Sequence, residues 1–429
     1  MRIKGQKKQN NSKTRLLLFL FVLCFSISTL NNRSHSMNNR NIQYSPVSSV
    51  TCTLEIVGSY SELSGSAQDV FIVGDYAYIA DKDDGLEIVD ISDPTNPSKI
   101  TNLTDNSGDS YGLHVSGDYA YVADWADGLE IIDISNPNSP SEVGEFYDSS
   151  GLATNVFVSG NYAYVADYDD GLEVIDISTP ASPTESGSHY DGDGLAYDVY
   201  VLGDYAYVAD YDDGLEIIDI SDPNNPTETG QYTDYSSFAQ GIYVSGDYAY
   251  LAYAGSGLYI IDVSDPSNPS KVGSYDDGTG STRGVTVSGN YAYIADGNGG
   301  VNIIDVSDPA SPIKVCEKSL TSFARKLVLS GQYIYVANDY GELQVLTSGL
   351  DTDEDGLTDY EEINIHGTDP NDTDTDGDGS SDYEEIEEGT DPNDKHDKPR
   401  GGISGYSIMW TIGTSALVIF LIYRRQKIH

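Results

Sequence analysis

The 429-residue sequence is poor in basic side chains, cysteine and histidine, and each shortage excludes a class of protein. Only 22 Lys and Arg stand against 69 Asp and Glu, so the formal net charge is −47. A surface of this sign repels nucleic acid, which we therefore do not expect as a partner. Three cysteines are too few for a disulfide-rich fold. The six histidines are scattered, without metal-site spacing or a nucleophile motif, so we do not expect an enzyme.

A phrase of Gly, a polar residue and Tyr-x-Tyr occurs seven times at a nearly constant interval. Its glycines are spaced by 43 residues five times and by 42 once: Gly74, Gly117, Gly160, Gly203, Gly246, Gly289 and Gly331. A period of about 40–45 residues with four strand-like runs is typical of a propeller blade. Because helical periodicity is absent from the units, the sequence predicts an all-β fold, a seven-bladed β-propeller of four-stranded blades.

The unit around Gly203 shows how each blade is built. Its runs rich in Val, Ile and Tyr cover 197–202, 205–210, 215–220 and 227–232, each close to the usual strand length. Gly203-Asp204 and Asp213-Gly214 suit tight hairpin turns, whereas Pro223 follows the end of the third strand. Both faces of these strands carry apolar side chains. Each sheet therefore needs a neighbour on both sides, as in a ring of blades.

The two ends of the repeat region complement each other. The seventh unit begins near Phe323 and stops after Leu346 without a fourth strand, whereas residues 53–60 read as a fourth strand ahead of the first unit. We expect this N-terminal strand to complete blade seven and close the ring, which also hides the edges of an open repeat stack. Cys52 precedes that strand and Cys316 lies in the fourth strand of unit six. Either a disulfide between adjacent rims or two unpaired thiols fits this placement.

The third run of most units resembles a known repeat. The phrases are Leu86-Glu-Ile-Val-Asp90, Leu129-Glu-Ile-Ile-Asp133, Leu172-Glu-Val-Ile-Asp176, Leu215-Glu-Ile-Ile-Asp219 and Leu258-Tyr-Ile-Ile-Asp262. They resemble the LVIVD repeat of extracellular bacterial and archaeal proteins, and the resemblance covers residues 51–349. It implies a β-propeller and says almost nothing about activity. Unit seven departs from the pattern, because Thr347 stands where the other units have Asp.

Two twelve-residue segments after the repeats carry oxygen donors at the spacing of a calcium loop. Both have Asp at positions 1, 3, 5 and 9, Gly at 6 and Glu at 12, and a backbone carbonyl at 7 completes the set. Alternate carboxylates along a tight loop can surround one hard cation. We therefore predict calcium binding by Asp351, Asp353, Asp355, Leu357, Asp359 and Glu362 and by Asp374, Asp376, Asp378, Ser380, Asp382 and Glu385.

The surroundings of these loops resemble the thrombospondin type 3 repeats of prokaryotic surface proteins. Gly367-Thr-Asp-Pro370 and Gly389-Thr-Asp-Pro392 match a phrase that recurs between loops in that family. The resemblance implies that Asp369 and Asp372 add ligands. Calcium would turn residues 350–396 into a stiff stalk. One alternative is a dockerin, whose flanking helices and apolar recognition residues are missing here. Another is a disordered acidic linker, because no Lys or Arg occurs between Asp351 and Asp394.

Both ends of the chain carry apolar runs with basic neighbours. Residues 1–36 read as a secretory signal peptide followed by a spacer over 37–50, with an uncleaved anchor as the alternative. After a linker over 397–402, residues 403–423 contain no charged side chain and are long enough to span a bilayer. The basic tail 424–429 predicts a single-pass cell-membrane protein with its N-terminal region outside. The segment also resembles a C-terminal sorting signal, which would be removed.

The loops that link successive blades vary most among the units, and propellers commonly bind at this face. We therefore predict contact with a glycan or protein for Tyr147, Tyr190, Tyr232, Tyr235 and Phe238. Packing of the rim is the alternative role for these side chains. The turns between strands two and three are acidic at Asp81, Asp124, Asp167 and Asp210. These aspartates either bind cations or satisfy hairpin geometry.

The sequence as a whole predicts a surface-displayed adhesion or ligand-capture protein, with a propeller, a calcium stalk and a membrane anchor. Two other classes stay open. One is an extracellular hydrolase or lyase that uses carboxylates on the propeller face, and the other is a structural component of the cell envelope. His114 occupies a position where other units have Phe71, Phe157 and Tyr200, which favours a strand residue over a catalytic one.

Overall fold

The computed structural model describes residues 51–399, except 62–64, 105–108, 148–150, 191, 193–194 and 235–236. The described residues belong to one compact unit. The predicted signal peptide, the spacer over 37–50, the membrane span and the basic tail lie outside the described residues. Within the described part of the chain, no helix is both long enough and apolar enough to cross a membrane.

Seven antiparallel sheets of four strands each precede the acidic segment. The strands, in chain order by blade, are β1 (Thr51–Tyr60); β2 (Ala67–Val73), β3 (Tyr76–Asp81), β4 (Gly85–Asp90) and β5 (Ser98–Leu103) in blade one; β6 (Gly112–Ser116), β7 (Tyr119–Asp124), β8 (Gly128–Asp133) and β9 (Ser141–Phe146) in blade two; β10 (Ala153–Ser159), β11 (Tyr162–Asp167), β12 (Gly171–Asp176) and β13 (Thr184–His189) in blade three; β14 (Ala196–Leu202), β15 (Tyr205–Asp210), β16 (Gly214–Asp219) and β17 (Thr227–Tyr232) in blade four; β18 (Ala239–Ser245), β19 (Tyr248–Tyr253), β20 (Gly257–Asp262) and β21 (Ser270–Tyr275) in blade five; β22 (Gly284–Ser288), β23 (Tyr291–Ala295), β24 (Val301–Asp305) and β25 (Ile313–Lys318) in blade six; and β26 (Ala324–Ser330), β27 (Tyr333–Asn338) and β28 (Glu342–Asp351) in blade seven.

Blade seven is completed by the N-terminal strand, which confirms the predicted closure. Its order is β1-β28-β27-β26, with Thr51 opposite Asp351 and Tyr60 opposite Leu343. The first strand of blade one, β2, contacts both β6 of blade two and β26 of blade seven. The innermost strands therefore form a closed ring, in which every blade has a neighbour on each side.

Apolar side chains on both faces of each sheet are buried between neighbouring blades. In β3, Ala77 and Ile79 pack into a cluster with Leu343 of blade seven, whereas Tyr78 and Ala80 pack into another with residues of blade two. All four are at most 3% exposed. Side chains alternate between the faces of a strand, so two apolar faces require two covering sheets. The two apolar strand faces that the sequence predicted are thus the surfaces that pack between neighbouring blades.

A glycine in the fourth strand of several blades lets the next blade approach closely. A Cβ at Gly273 would collide with the backbone carbonyl of Pro309, in the turn that leaves the third strand of the following blade. The same relation joins Gly58 to Pro94, Gly144 to Pro180 and Gly230 to Pro266. Contact between backbones excludes a side chain at these four glycines, whereas blade one has Thr101 at the equivalent position.

Blade six has Cys316 at this glycine position, and the exchange explains the disulfide. Cys316 lies opposite Ile303 just as Gly273 lies opposite Ile260. Blade seven has no Pro turn after its third strand, because β28 runs on to Asp351. Cys316 is instead bonded to Cys52 of the closing strand, with the two Cα atoms 5.8 Å apart. Of the two alternatives left by the sequence, the structure therefore has the disulfide.

The Asp that ends the third strand of each repeat begins a turn. Asp219 Oδ1 accepts a hydrogen bond of 2.9 Å from the Ser221 N–H, and Asp90, Asp133, Asp176, Asp262 and Asp305 make the same bond. Hydrogen bonds from Ser221 also lower the pKa of Asp219. Thr347 takes the Asp position in blade seven, where β28 continues without a turn. Unit seven thus lacks the Asp of the repeat because the chain makes no turn at this point.

The ring has two faces, the loop face and the turn face. The inner strands begin at the loop face, where the blade-linking loops and the turns between strands two and three lie. They end at the turn face, at Gly-Asp turns such as Gly203-Asp204. Third strands run in the same direction as first strands, so β28 leaves the propeller at the turn face.

Short helices follow the acidic loops, although the sequence predicted none there. They are α1 (Asp359–Glu361), a π-helical turn (Glu362–His366) and α2 (Asp382–Glu388). Thr358 caps α1 and Ser381 caps α2 through their side-chain oxygens, and Gly367 and Gly389 end the helical segments with positive φ. These helical segments are too short to show a helical repeat of apolar residues. Their capping residues are therefore the sequence signal that could have predicted them.

Candidate functional site

The acidic segment after β28 folds into two successive loops that each gather three aspartates. Carboxylate oxygens of Asp351, Asp353 and Asp355 lie within 4.8 Å of one another. Asp374, Asp376 and Asp378 form the equivalent group in the second loop. At position 6 of the loops, Gly356 and Gly379 have φ angles of 108° and 98°, which favour glycine. The predicted positions 1, 3 and 5 are therefore brought together in both loops.

Buried carboxylate oxygens point to a cation in each loop. Six of them accept no hydrogen bond: Asp351 Oδ1, Asp353 Oδ2, Glu362 Oε2, Asp376 Oδ2, Asp378 Oδ2 and Glu385 Oε2. A buried carboxylate without a partner is costly, and a metal ion is a partner that the protein itself does not supply. Hard oxygen donors from several carboxylates suit Ca²⁺. The residues present therefore fit calcium.

The electrostatics of the loops agree with this interpretation. Burial, reinforced by neighbouring aspartates, raises the pKa of Glu362 to about 8 and that of Glu385 to about 7. Burial likewise raises the pKa of Asp353 to about 6. Among the ion pairs of the described residues, only Lys398 reaches either loop, with Nζ 3.5 Å from Asp378 Oδ1. The loops concentrate negative charge that a divalent cation would offset.

The aspartates at position 9 are engaged in holding the loops. Asp359 accepts two hydrogen bonds of 2.8 Å from the N–H and hydroxyl of Thr352. Asp382 accepts the equivalent bonds from Thr375, at 3.1 and 2.7 Å. Position 9 of a calcium loop commonly acts through water. The threonine at position 2, which the sequence analysis did not single out, fixes this carboxylate in both loops.

The other predicted ligands divide into two groups. At position 7, the N–H groups of Leu357 and Ser380 bond to Asp355 and Asp378, at 2.8 and 2.9 Å. Asp369 and Asp372 are exposed and belong to neither group of three aspartates. Asp369 Oδ1 instead accepts a bond of 3.1 Å from the Asn371 N–H. The structure thus places these two aspartates in the turn between the loops.

The two loops form one body that rests on the turn face, called here the calcium module (residues 351–395). The Tyr383 N–H at the start of α2 bonds to Asp355 Oδ2 of the first loop at 3.0 Å. The hydroxyls of Thr352 and Tyr291 of blade six lie 3.0 Å apart. Asp351 is both the last residue of β28 and a member of the first aspartate group. The first loop is therefore continuous with β28, the partner of the closing strand β1.

The aromatic candidates at the loop face have different environments. Tyr147 is 56% exposed, Tyr190 54% and Phe238 44%. Phe238 stacks on Tyr211, with ring centroids 4.2 Å apart and planes at 10°. Tyr232 packs against the core cluster of blades four and five. Tyr235 lies outside the described residues. Three of the five predicted contacts thus present accessible aromatic surface.

The acidic turns fasten the linking loops to the blades. Asp81, Asp124, Asp167 and Asp210 are at most 2% exposed. Asp167 Oδ1 accepts the Leu152 N–H at 2.7 Å, and Asp210 Oδ1 accepts the Leu195 N–H at 2.9 Å. Burial raises the pKa of Asp81 to about 6. These bonds support the hairpin alternative, and at the first turn carboxylate oxygens of Asp81, Asp84 and Glu87 also lie within 4.8 Å of one another.

The axis of the ring carries side chains that the sequence analysis did not combine. Equivalent positions of the inner strands bring successive rings within 4.9–5.0 Å: Phe71, His114, Phe157, Tyr200 and Tyr243. One step closer to the loop face, Lys326 Nζ of blade seven lies 2.5 Å from Asp198 Oδ2 of blade four. Burial opposes the charge of Lys326, but Asp198 and Asp69 outweigh it and raise its pKa. An aromatic arc and an ion pair therefore lie along the axis of the ring.

A recess of about 330 Å³ opens above this ion pair, at the loop face. It is lined mainly by the second residue of each repeat's inner segment: Gln68, Tyr111, Thr154, Tyr197, Gln240, Arg283 and Arg325. An alignment of the seven units would have shown that the residue at this position differs from unit to unit, while the residues on either side of it are nearly constant. This variation is the sequence signal that could have indicated a site at the axis.

Fold and loops define a class: a seven-bladed β-propeller followed by calcium-type acidic loops. The LVIVD repeat family model matches residues 64–105, 107–148, 150–191, 193–234, 238–277, 279–317 and 323–346. The chain belongs to this family, since the matches cover more than half of it. The bacterial TSP3 repeat model matches residues 351–373 and 374–395. The combination fits a surface or extracellular protein.

Solved structures share the fold at low sequence identity. The WD40 β-propeller domain of Doa1 has a TM-score of 0.59 and 10% identity, over 69% of this chain and 97% of that one. The computationally designed Ika8 protein has a TM-score of 0.52 and 11% identity, over 66% and 83% of the two chains. At these identities the likeness concerns the fold alone. No curated protein matches the sequence at a significant level.

Proposed function

We propose that this protein is a cell-surface binding protein that captures a glycan or protein ligand at the loop face of its propeller. The observation that carries the proposal is the position of the calcium module. Its contacts with the propeller, such as Tyr291 with Thr352, lie at the turn face. The exposed aromatic side chains Tyr147, Tyr190 and Phe238 lie at the other face. Support and binding surface are thus at opposite ends of the ring.

Calcium has a mechanical role in this proposal. With calcium bound, the two loops form a stiff support, whereas without it the clustered carboxylates repel one another. The predicted signal peptide and C-terminal span would place the protein outside the cell and attach it to the membrane. We propose no enzymatic activity. The buried aspartates at the ends of the second strands accept hydrogen bonds from backbone N–H groups, as Asp167 does from Leu152.

Glycan and peptide arrays probed with the full-length protein in mild detergent test this function. They are run with calcium at about 10 mM, above the roughly 10⁻⁴–10⁻³ M range of extracellular sites, and with chelator. The triple variant Tyr147→Ser, Tyr190→Ser, Phe238→Ser should lose binding. Ile313→Ser is the matched control, because this side chain is 65% exposed at the turn face. A ligand that the triple variant retains, or that only Ile313→Ser loses, would overturn the proposal.

A further inference from the structure

We propose that the recess at the loop-face end of the axial channel binds a hydroxylated carboxylate, a sugar acid, with Arg283 as its principal cation. This inference rests on the proposed function and specifies its ligand chemistry. The recess measures about 330 Å³, including solvent space at its open mouth. It would therefore enclose the carboxylate end of a sugar acid and leave the rest of the ring at the loop face.

Arg283 is a positive charge without a carboxylate partner. In the described part of the chain it forms no ion pair, and its Nε–H is buried without a hydrogen-bond acceptor. Its guanidinium lies over the ring of Phe323, 5.1 Å from the centroid, which orients the group. In a chain of net charge −47, an unpaired arginine at the centre of a ring indicates an anion from outside.

Arg325 lies beside it in the same recess and is already fixed. Its Nε–H bonds to Asp339, which also accepts the Ser66 hydroxyl at 2.7 Å. The guanidinium has four further N–H donors, which can serve a carboxylate. Lys326 at the floor faces two carboxylates, Asp198 and Asp69. Because Arg325 and Lys326 are both paired with carboxylates, the attraction for an anion comes from Arg283, and Arg325 adds N–H donors.

Gln240 is the reason that we expect the ligand to carry a hydroxyl group. Its side chain lines the recess and is 3% exposed, and its Oε1 accepts no hydrogen bond. An amide oxygen needs a donor, which a carboxylate lacks and a hydroxyl group provides. The neighbouring polar side chains are already engaged: the Thr154 hydroxyl lies 2.9 Å from the Ala166 carbonyl, and Gln68 bonds to Ser66.

Aromatic side chains form the wall across from the arginines. Tyr111 stacks on Trp125 with centroids 4.8 Å apart, and Tyr197 lies 6.0 Å from Tyr211. These contacts hold the rings as a rigid surface for the apolar face of a sugar. Arginine, a buried amide oxygen and aromatic rings together match the carboxylate, hydroxyl and ring of a uronic acid.

Titration calorimetry of the full-length protein with D-glucuronate, D-galacturonate and D-glucose tests the inference. At least one uronate should bind, and glucose should bind about 10- to 100-fold more weakly, because bonds to charged groups are worth that factor. Arg283→Gln should reduce uronate affinity by a similar factor, and Arg283→Lys by less. Lys271→Gln, the same change of charge on the outer strand of blade five, should leave it unaltered.

Two results would overturn the inference: no binding of either uronate, or equal affinity of wild type and Arg283→Gln. Gln240→Met is a second variant, and it should weaken uronate binding while the melting temperature shows that the propeller is folded. Free sugar acids and terminal uronic acids of glycans are separated by repeating the titration with a uronate oligosaccharide. Array ligands that depend on Tyr147, Tyr190 and Phe238 but ignore Arg283→Gln would defeat this inference while leaving the proposed function standing.

Discussion

At the scale of single residues, His114 shows how the ring context sets the chemistry of a side chain. The imidazole lies between the rings of Phe71 and Phe157, with centroids 5.0 and 4.9 Å away. Burial lowers the pKa of His114 to about 4. The neutral form is therefore the one that the folded protein accommodates, and this histidine acts as a member of the aromatic arc.

His114→Phe should remove a destabilisation that wild type suffers in acid. The unfolded state binds the proton with a pKa near 6.5, so the wild-type free energy of unfolding falls as the pH drops from about 6.5 to 4 and levels off below. The difference between variant and wild type should grow over that window by at most about 3 kcal/mol. Urea denaturation at several pH values measures it, with exposed His396→Gln as the control. A constant difference would contradict the assignment.

Residue identities could be predicted where chemistry demands a fixed spacing. The two groups of three aspartates and the buried Glu362 and Glu385 followed from loop spacing alone. Asp369 and Asp372 were assigned by resemblance, and the structure leaves them exposed in a turn. Arg283 and Gln240 were missed, because their partners lie on other blades and nothing local in the sequence links them.

At the scale of elements, the closing strand β1 is held by two different means. Its backbone pairs with β28 along the strand, and Cys52 is bonded to Cys316 of blade six, 264 residues away. The repeat pattern predicted the pairing, since a missing fourth strand and an orphan strand complete each other. The bond could be interpreted only once the structure placed Cys316 at the position that is Gly144, Gly230 and Gly273 in blades two, four and five.

Reduction of this disulfide should lower the stability of the propeller, because β1 is then free to leave the edge of blade seven. We expect a loss of about 2–5 kcal/mol, measured as a lower urea midpoint after addition of reductant. The double variant Cys52→Ala, Cys316→Ala should resemble reduced wild type and show no response to reductant. An unchanged midpoint on reducing the wild type would argue against any role of the bond in closure.

At the scale of the whole molecule, calcium module and propeller are parts of one structure. Asp351 pairs with Thr51 in the last strand and also belongs to the first aspartate group. Thr352 of the same loop contacts Tyr291 of blade six. The sequence predicted a calcium-binding stalk over residues 350–396, and in the structure its first loop continues directly from the pair of strands β1 and β28 that closes the ring.

Calcium should therefore raise the unfolding temperature of the propeller itself. At about 10 mM, an ion with a Kd of roughly 10⁻⁴–10⁻³ M contributes about 1.4–2.7 kcal/mol. Near-ultraviolet circular dichroism of the tyrosines on heating, with and without chelator, measures the effect. Asp353→Asn in the first loop should abolish most of it, and the matched Asp376→Asn in the second loop much less. Equal effects of the two variants would show that the ion sites are not coupled to the ring.

The pairing of β1 with β28, which closes the ring, also sets the order in which the propeller can fold. β1 is the first strand of the ring to leave the ribosome, yet its partner β28 is the last. Six blades can form from neighbouring segments while β1 waits with an unpaired edge, which is a hazard for aggregation during synthesis. We therefore expect a chaperone that shields extended segments to bind Thr51–Tyr60 during synthesis.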